Sequence, residues 1–227
     1  MFQAAKSNYH NLFHRELGKF LSELLDRPED YPDIMESYTS RVISQLSYGV
    51  PARHDEVRMG SRSLLTAISP VGYITNIIPQ LKYIPEIISP WKWIENGRHA
   101  KERVFLMEMH DMVDGHLKAG TSGTSFMRHV KENQEKYGID DLECAYIVGM
   151  IGFAGVLTTA TVLMTYVLAM TLHPEWQAKL QDEVDRVCGD RPPELSDSPN
   201  LPLLRAVISE LMRWRPIIPN SKYSSDI

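Results

Sequence analysis

Residues 145 through 172 contain no Asp, Glu, Lys, Arg or His, an uncharged run of 28 residues. Few folds can hold such a segment. It is long enough to cross a bilayer, which needs roughly 20 apolar residues. It also suits a helix buried on all sides at the centre of a helical domain. Asp140 and Glu143, three residues apart, precede the run in the pattern of a capping box. Five threonines and three glycines dilute its apolar character. The flanks are acidic on one side (Asp140, Asp141, Glu143) and mixed on the other (His173, Glu175, Lys179), without the Lys/Arg cluster of a membrane boundary. Two readings follow: a central helix enclosed by its neighbours, or a single-pass span at 145–172.

The rest of the chain supplies helices that could do the enclosing. Phe13, Leu17, Phe20, Leu21, Leu24 and Leu25 share one helical face, and Pro28 stops that helix. A second pattern runs through Ile34, Tyr38, Val42, Ile43 and Leu46 and ends at Tyr48-Gly49. Pro70, Pro79, Pro85 and Pro90 break residues 70–92 into short pieces. Helix returns near residue 97, with Leu106, Met109, Val113 and Leu117 at intervals of three or four, and 119–125 reads as a loop. Pro174 opens a helix with Trp176, Leu180, Val184 and Val187 on one face. A polar loop at 189–200 follows. Asn200 is placed to cap the last helix, which has Pro202 in its first turn and ends near Trp214. No alternating strands or internal repeats stand out, so the fold class expected is mainly α.

Composition removes several function classes. The 227 residues are 43% hydrophobic and 23% charged, which is globular rather than disordered. The net charge of −5, with signs interspersed, offers no basic footprint for nucleic acid. Cys144 and Cys188 lie far apart and form no CxxC, so no disulfide scaffold is expected and a reducing compartment is the default. The eight histidines show no HExxH, and no metal ligand set is expected. The opening residues, Met1 to Lys6, lead into Asn and His rather than an apolar anchor.

Two short motifs remain. Ala154-Gly155-Val156-Leu157-Thr158-Thr159 stands inside the uncharged run, where by itself it reads as small-residue packing. Glu210 and Arg213 stand at i, i+3 in Glu210-Leu211-Met212-Arg213, where by themselves they read as a solvated surface pair. In this order and separation the two resemble the oxygen-binding and Glu-x-x-Arg patterns of the cytochrome P450 family. The stretch from His173-Pro174-Glu175 through 189–204 is similar to what that family places between them. Arg27-Pro28-Glu29-Asp30-Tyr31, Tyr48-Gly49 and Pro79-Gln80-Leu81-Lys82-Tyr83-Ile84-Pro85 resemble fungal microsomal members. The resemblance covers nearly the whole chain and is strongest over 140–216.

The resemblance implies a partial P450 fold over 1–227, read as a single incomplete domain. It would have a helical core with the long central helix and the Glu-x-x-Arg helix, and most of the β-structure missing. It implies haem as cofactor, an apolar small-molecule substrate and an NADPH-dependent flavoprotein reductase as partner. Thr158 would serve oxygen activation. Ala154, Gly155 and Thr159 would lie at the haem and oxygen face. Glu210 and Arg213 would be structural, bracing the haem pocket. The family's usual acid before the threonine is Leu157 here, and leucine cannot relay protons. The family's ligand cysteine lies in a glycine-containing loop after the Glu-x-x-Arg helix, and no Phe-x-x-Gly-x-x-x-Cys occurs in this sequence. The expectation is therefore a monooxygenase chain inactive by itself, with a non-catalytic remnant as the competing reading. Full-length relatives would sit on the endoplasmic reticulum. The expectation for these residues, which show no anchor, is a cytoplasmic or peripheral-membrane location.

Overall fold

A computed structural model describes residues 9–50, 53–69 and 71–217. Among them every regular element is helical: α1 (His10–Asp26), α2 (Tyr31–Tyr48), α3 (His54–Ile68), the single turn α4 (Ile74–Ile77), α5 (Pro90–Lys118), α6 (Phe126–Glu132), α7 (Gln134–Tyr137), α8 (Asp141–Leu172), α9 (Pro174–Cys188) and α10 (Pro202–Trp214). Short 3₁₀ turns fill Pro28–Asp30, Pro79–Tyr83, Glu86–Ile88 and Leu195–Asn200. The expectation of a mainly helical chain without sheet thus describes these residues. Pro70 and the opening residues Met1 to Ser7, on which the expectation of no anchor rested, lie outside them.

Local chemistry explains most boundaries. Pro28 starts a 3₁₀ turn in place of another helical turn after α1. Gly49 closes α2 in the left-handed conformation (φ 81°), its N–H donating to the Gln45 carbonyl at 2.8 Å. Asp140 and Glu143 form the anticipated capping box at the start of α8. The Glu143 N–H donates to Asp140 Oδ1 at 2.7 Å and the Asp140 N–H to Glu143 Oε2 at 2.9 Å. The prolines of the middle region yield one-turn pieces, and α5 begins at Pro90, earlier than the periodicity suggested. The helices α3 and α6 were not anticipated from the sequence. Asn200 does not cap α10: it ends the preceding 3₁₀ turn, and Leu201 occupies the cap position without a side-chain bond.

The chain divides into two compact units, Met1–Leu157 and Thr158–Ile227, and α8 contributes to both. In the first unit the core comprises Tyr48 of α2, Val57 of α3, Phe105, Leu106, Met109 and Val113 of α5, Met127 of α6, and Ala145, Val148, Phe153 and Val156 of α8. The glycines of α8 let neighbouring helices approach. A Cβ on Gly152 would lie 3.2 Å from Ser47 Oγ, and one on Gly155 3.0 Å from Ile43 Cδ1. The first half of the uncharged run is therefore a core helix flanked by α2, α3 and α5, although its length and composition would also suit a membrane span. In the second unit Ala169 and Met170 of α8 pack with Leu180 of α9 and Leu211 of α10, joined by Leu203, Leu204 and Val207.

Candidate functional site

A helix advances about 100° per residue, so the motif residues of α8 cannot all face one way. Ala154 and Thr158, four apart, share a direction. Ala154 is exposed and Thr158 half-buried. Behind them on the same face stand Ile147 and Ile151, large apolar side chains at 42% and 50% exposure. The spacing 147, 151, 154, 158 makes a continuous apolar strip that ends in one hydroxyl. Gly155 points elsewhere, onto Ile43 of α2. Thr159 is exposed and lies well round the helix from Ala154. The four residues that the motif groups in sequence thus split into a strip pair (Ala154, Thr158), a packing contact (Gly155) and a residue on another face (Thr159).

Leu157 is half-buried and packs against the core of the first unit, so no proton-relaying side chain stands next to Thr158 at that position. Its backbone N–H donates to Ser61 Oγ of α3 at 3.3 Å. Ser61 is buried, and sequence reading missed it, because the contact joins positions 96 residues apart. Elsewhere on α8, threonine hydroxyls donate to carbonyls one turn back: Thr165 to Thr161 and Thr171 to Val167, both at 2.8 Å.

The second motif forms its ion pair. Arg213 Nε donates to Glu210 Oε2 at 2.7 Å and Arg213 Nη2 to Glu210 Oε1 at 2.5 Å. The guanidinium bonds hold the Glu210 carboxyl below its ordinary value, and the carboxylate raises Arg213 in return. Both side chains are exposed, so the pair is a solvated one among the described residues. Glu210 also borders an apolar groove of about 540 Å³ in the second unit, together with Met170, Trp176, Val207, Leu211 and Trp214.

Neither cysteine is disposed as a metal ligand. Cys144 is fully buried at the first turn of α8, and burial pushes its thiol up. Cys188 ends α9 under cover, its thiol raised by burial and by Asp197, whose carboxylate it faces at 3.7 Å. No cluster of three or more His, Cys, Asp or Glu side chains among the described residues could hold a metal ion.

Comparison with known proteins identifies the family. The family model described as Cytochrome P450 matches residues 1–226. Cytochrome P450 monooxygenase polD of Polytolypa hystricis is 32% identical, covering 100% of this chain and 48% of the relative. Cytochrome P450 monooxygenase virE of Hypocrea virens is 31% identical, covering 92% of this chain and 38% of the relative. The chain thus spans less than half the length of these curated relatives. A solved zebrafish cytochrome P450, described with progesterone, shares the fold with a TM-score of 0.71 at 21% identity, over 91% of this chain and 49% of its own. The chain belongs to the cytochrome P450 family.

Proposed function

We propose that this chain forms the oxygen-side wall of a haem pocket in a monooxygenase that oxidises an apolar organic substrate. Electrons would come from an NADPH-dependent flavoprotein reductase, as the family implies. The observation that carries the reading is the partly exposed strip of α8: two isoleucines, an alanine and a threonine on one face of its uncharged run. A flat apolar ring fits such a strip, since Ala154 leaves the backbone approachable. Thiolate-ligated haem supplies the reductive activation of dioxygen. Ala154 leaves room beside the ring, and the Thr158 hydroxyl orders water there and holds a proton within reach. Gly155 serves the close approach of α2, Thr159 is a second hydroxyl off the strip, and Glu210 with Arg213 keeps the structural role, bracing the haem pocket, that the family resemblance implies.

Neither Cys144 nor Cys188 would supply the thiolate that such a haem needs. Both thiols are buried and pushed up, away from the thiolate form. That observation favours, as the second reading, a non-catalytic family member. An in-frame transcript continuing past Ile227 into a cysteine-bearing loop supports the enzyme, and a stop codon in a complete transcript supports the remnant.

Exposed apolar side chains over residues 71–94 support association with a membrane surface. Val71, Ile77, Ile87 and Ile88 are 61–79% exposed. Meanwhile the segment's carbonyls are bonded from within: Asn76 Nδ2 donates to Ala67 and Ser69, and Lys92 Nζ to Lys82 and Ile84, at 2.7–3.0 Å. Apolar side chains outside and polar backbone satisfied inside suit contact with lipid.

Titrating the 227-residue chain with haemin tests the site. The expected result is binding that weakens when Ile151→Lys places a charge on the strip, without the thiolate-type spectrum in the reduced carbonyl complex. Binding indifferent to that substitution would remove the strip from the site, and a thiolate spectrum would overturn the reading of the two cysteines.

A further inference from the structure

The helix that carries Glu210 and Arg213 starts without a cap of its own. Its cap position is Leu201, which is apolar and buried, and Pro202 has no N–H to donate. The first free donors are the amides of Leu203 and Leu204. Both are taken by a side chain from the preceding helix: Glu183 Oε1 accepts from the Leu203 N–H at 2.9 Å and Glu183 Oε2 from the Leu204 N–H at 3.0 Å. Glu183 is 5% exposed, in the middle of α9. No cationic side chain pairs with it among the described residues. Its charge is met by the N-terminus of α10, where two amides and the positive end of the helix dipole converge.

We propose that Glu183 is the positioning residue for the Glu210–Arg213 helix, fixing both its rotation and its rise against α9. This rests on the reading of that pair as a brace of the haem pocket. The other restraints on α10 leave one or both of these degrees of freedom loose. The preceding loop is tied by Arg191 to Asp197, at 2.6 and 2.8 Å, and by the Asp197–Glu194 capping box, but those bonds end before Asn200. The apolar face of Leu203, Leu204, Val207 and Leu211 sets which side turns inward, yet non-directional packing tolerates small slides. Two oxygens of one carboxylate bonded to two consecutive amides tolerate neither a slide nor a turn. Glu210 follows Leu203 by seven residues, about two turns and roughly 10 Å along the axis, on nearly the same side. An error at the first turn is carried directly to it.

The test compares Glu183, Glu183→Gln and Glu183→Ala in the full chain. Gln keeps the shape and one acceptor oxygen, while Ala keeps none. Amide exchange at Leu203 and Leu204 reads the cap, and nitroxide labels on Gln177→Cys and Met212→Cys read the spacing of α9 and α10. Both native thiols are buried, so labelling is selective. The expected result is graded: exchange about tenfold faster for each acceptor lost, and a label distance that shifts or broadens from Glu to Gln to Ala. Faster exchange with one unchanged, narrow distance in all variants would make Glu183 a cap and nothing more, and overturn the proposal. Should the Ala variant not fold, the isosteric Gln variant decides by the same two readings. Haemin binding by Arg213→Ala separates the two ideas. Indifference there removes the brace and leaves the Glu183 result standing.

Discussion

The backbone of Gly60 in α3 lies flush against the ring of Phe153 in α8: a Cβ built on Gly60 would stand 2.3 Å from both Cε1 and Cζ. The ring cannot withdraw freely, because Phe153 is 2% exposed and packs against Phe105 of α5, with ring centroids 6.1 Å apart. Three helices therefore meet at a point where one hydrogen atom is the largest side chain that fits.

Gly60→Ala is expected to destabilise the chain even though alanine is the better helix former. Overpacking of this kind costs about 1–3 kcal/mol, against a propensity gain of about 1 kcal/mol. Gly97→Ala in α5, where nothing lies within 4 Å of the added Cβ, is the matched control. It should stabilise by about 0.5–1 kcal/mol. Urea midpoints of the two variants, moving in opposite directions, check the argument; parallel shifts would refute it.

Arg41 of α2 bridges two carboxylates of α1, with Nε on Glu16 at 3.0 Å and its terminal nitrogens on Glu23 at 3.2 and 3.3 Å. Glu16 is fully buried. Burial alone would raise its carboxyl, but Lys19, Arg15 and Arg41 together bring it below the ordinary value. Arg41→Met removes one of the three cations beside that carboxylate and the bond to its Oε2, and should cost about 1–3 kcal/mol. Adding Glu16→Leu should restore most of the loss, measured as the urea midpoint of the double variant against each single one.

Asp141, at the first turn of α8, accepts from Lys131 Nζ at 2.8 Å and Gln134 Nε2 at 2.9 Å, with the buried His110 beside it. Lys131 and then Gln134 draw its carboxyl from 3.8 down to about 2. A carboxylate depressed in the folded state contributes stability above its unfolded value and loses it as acid titrates the folded form. Stability should therefore fall from about pH 4 towards about pH 2, and Asp141→Asn should flatten that part of the fall. The slope of urea midpoint against pH, identical in both proteins, would contradict this.

The legible parts of the sequence were those set by local rules. The capping box at Asp140, the glycine stop at Gly49 and the proline starts at Pro174 and Pro202 read correctly, because each depends on residues within one turn, whereas Pro90, read as a breaker, opens α5. The helices α3 and α6 were missed although each carries a local signal: Val57, Ser61, Leu64 and Ile68 share one face of α3, and Ser125 caps α6 by accepting from the Arg128 N–H at 3.1 Å. Asn200 looked like a cap by composition and was displaced by Glu183, 20 residues away from the amide it serves. The candidate site divides in the same manner. The sequence picked out Ala154, Thr158 and the Glu210–Arg213 pair, but could not reveal Ser61, which accepts from the Leu157 amide, or Glu183, which accepts from the first amides of α10.

The sequence by itself determined that a long uncharged helix exists, where it starts, and which family its two motifs resemble, because capping, periodicity and motif spacing are properties of neighbours along the chain. Only the tertiary structure decided which face of that helix is covered. Ile43, Ser47 and Gly60 come against α8 through close helix approach, and that contact turns Gly155 inward and leaves Ile147, Ile151 and Ala154 exposed. The physical reason is that helical periodicity gives directions relative to the helix axis, whereas burial depends on which other helices pack around that axis.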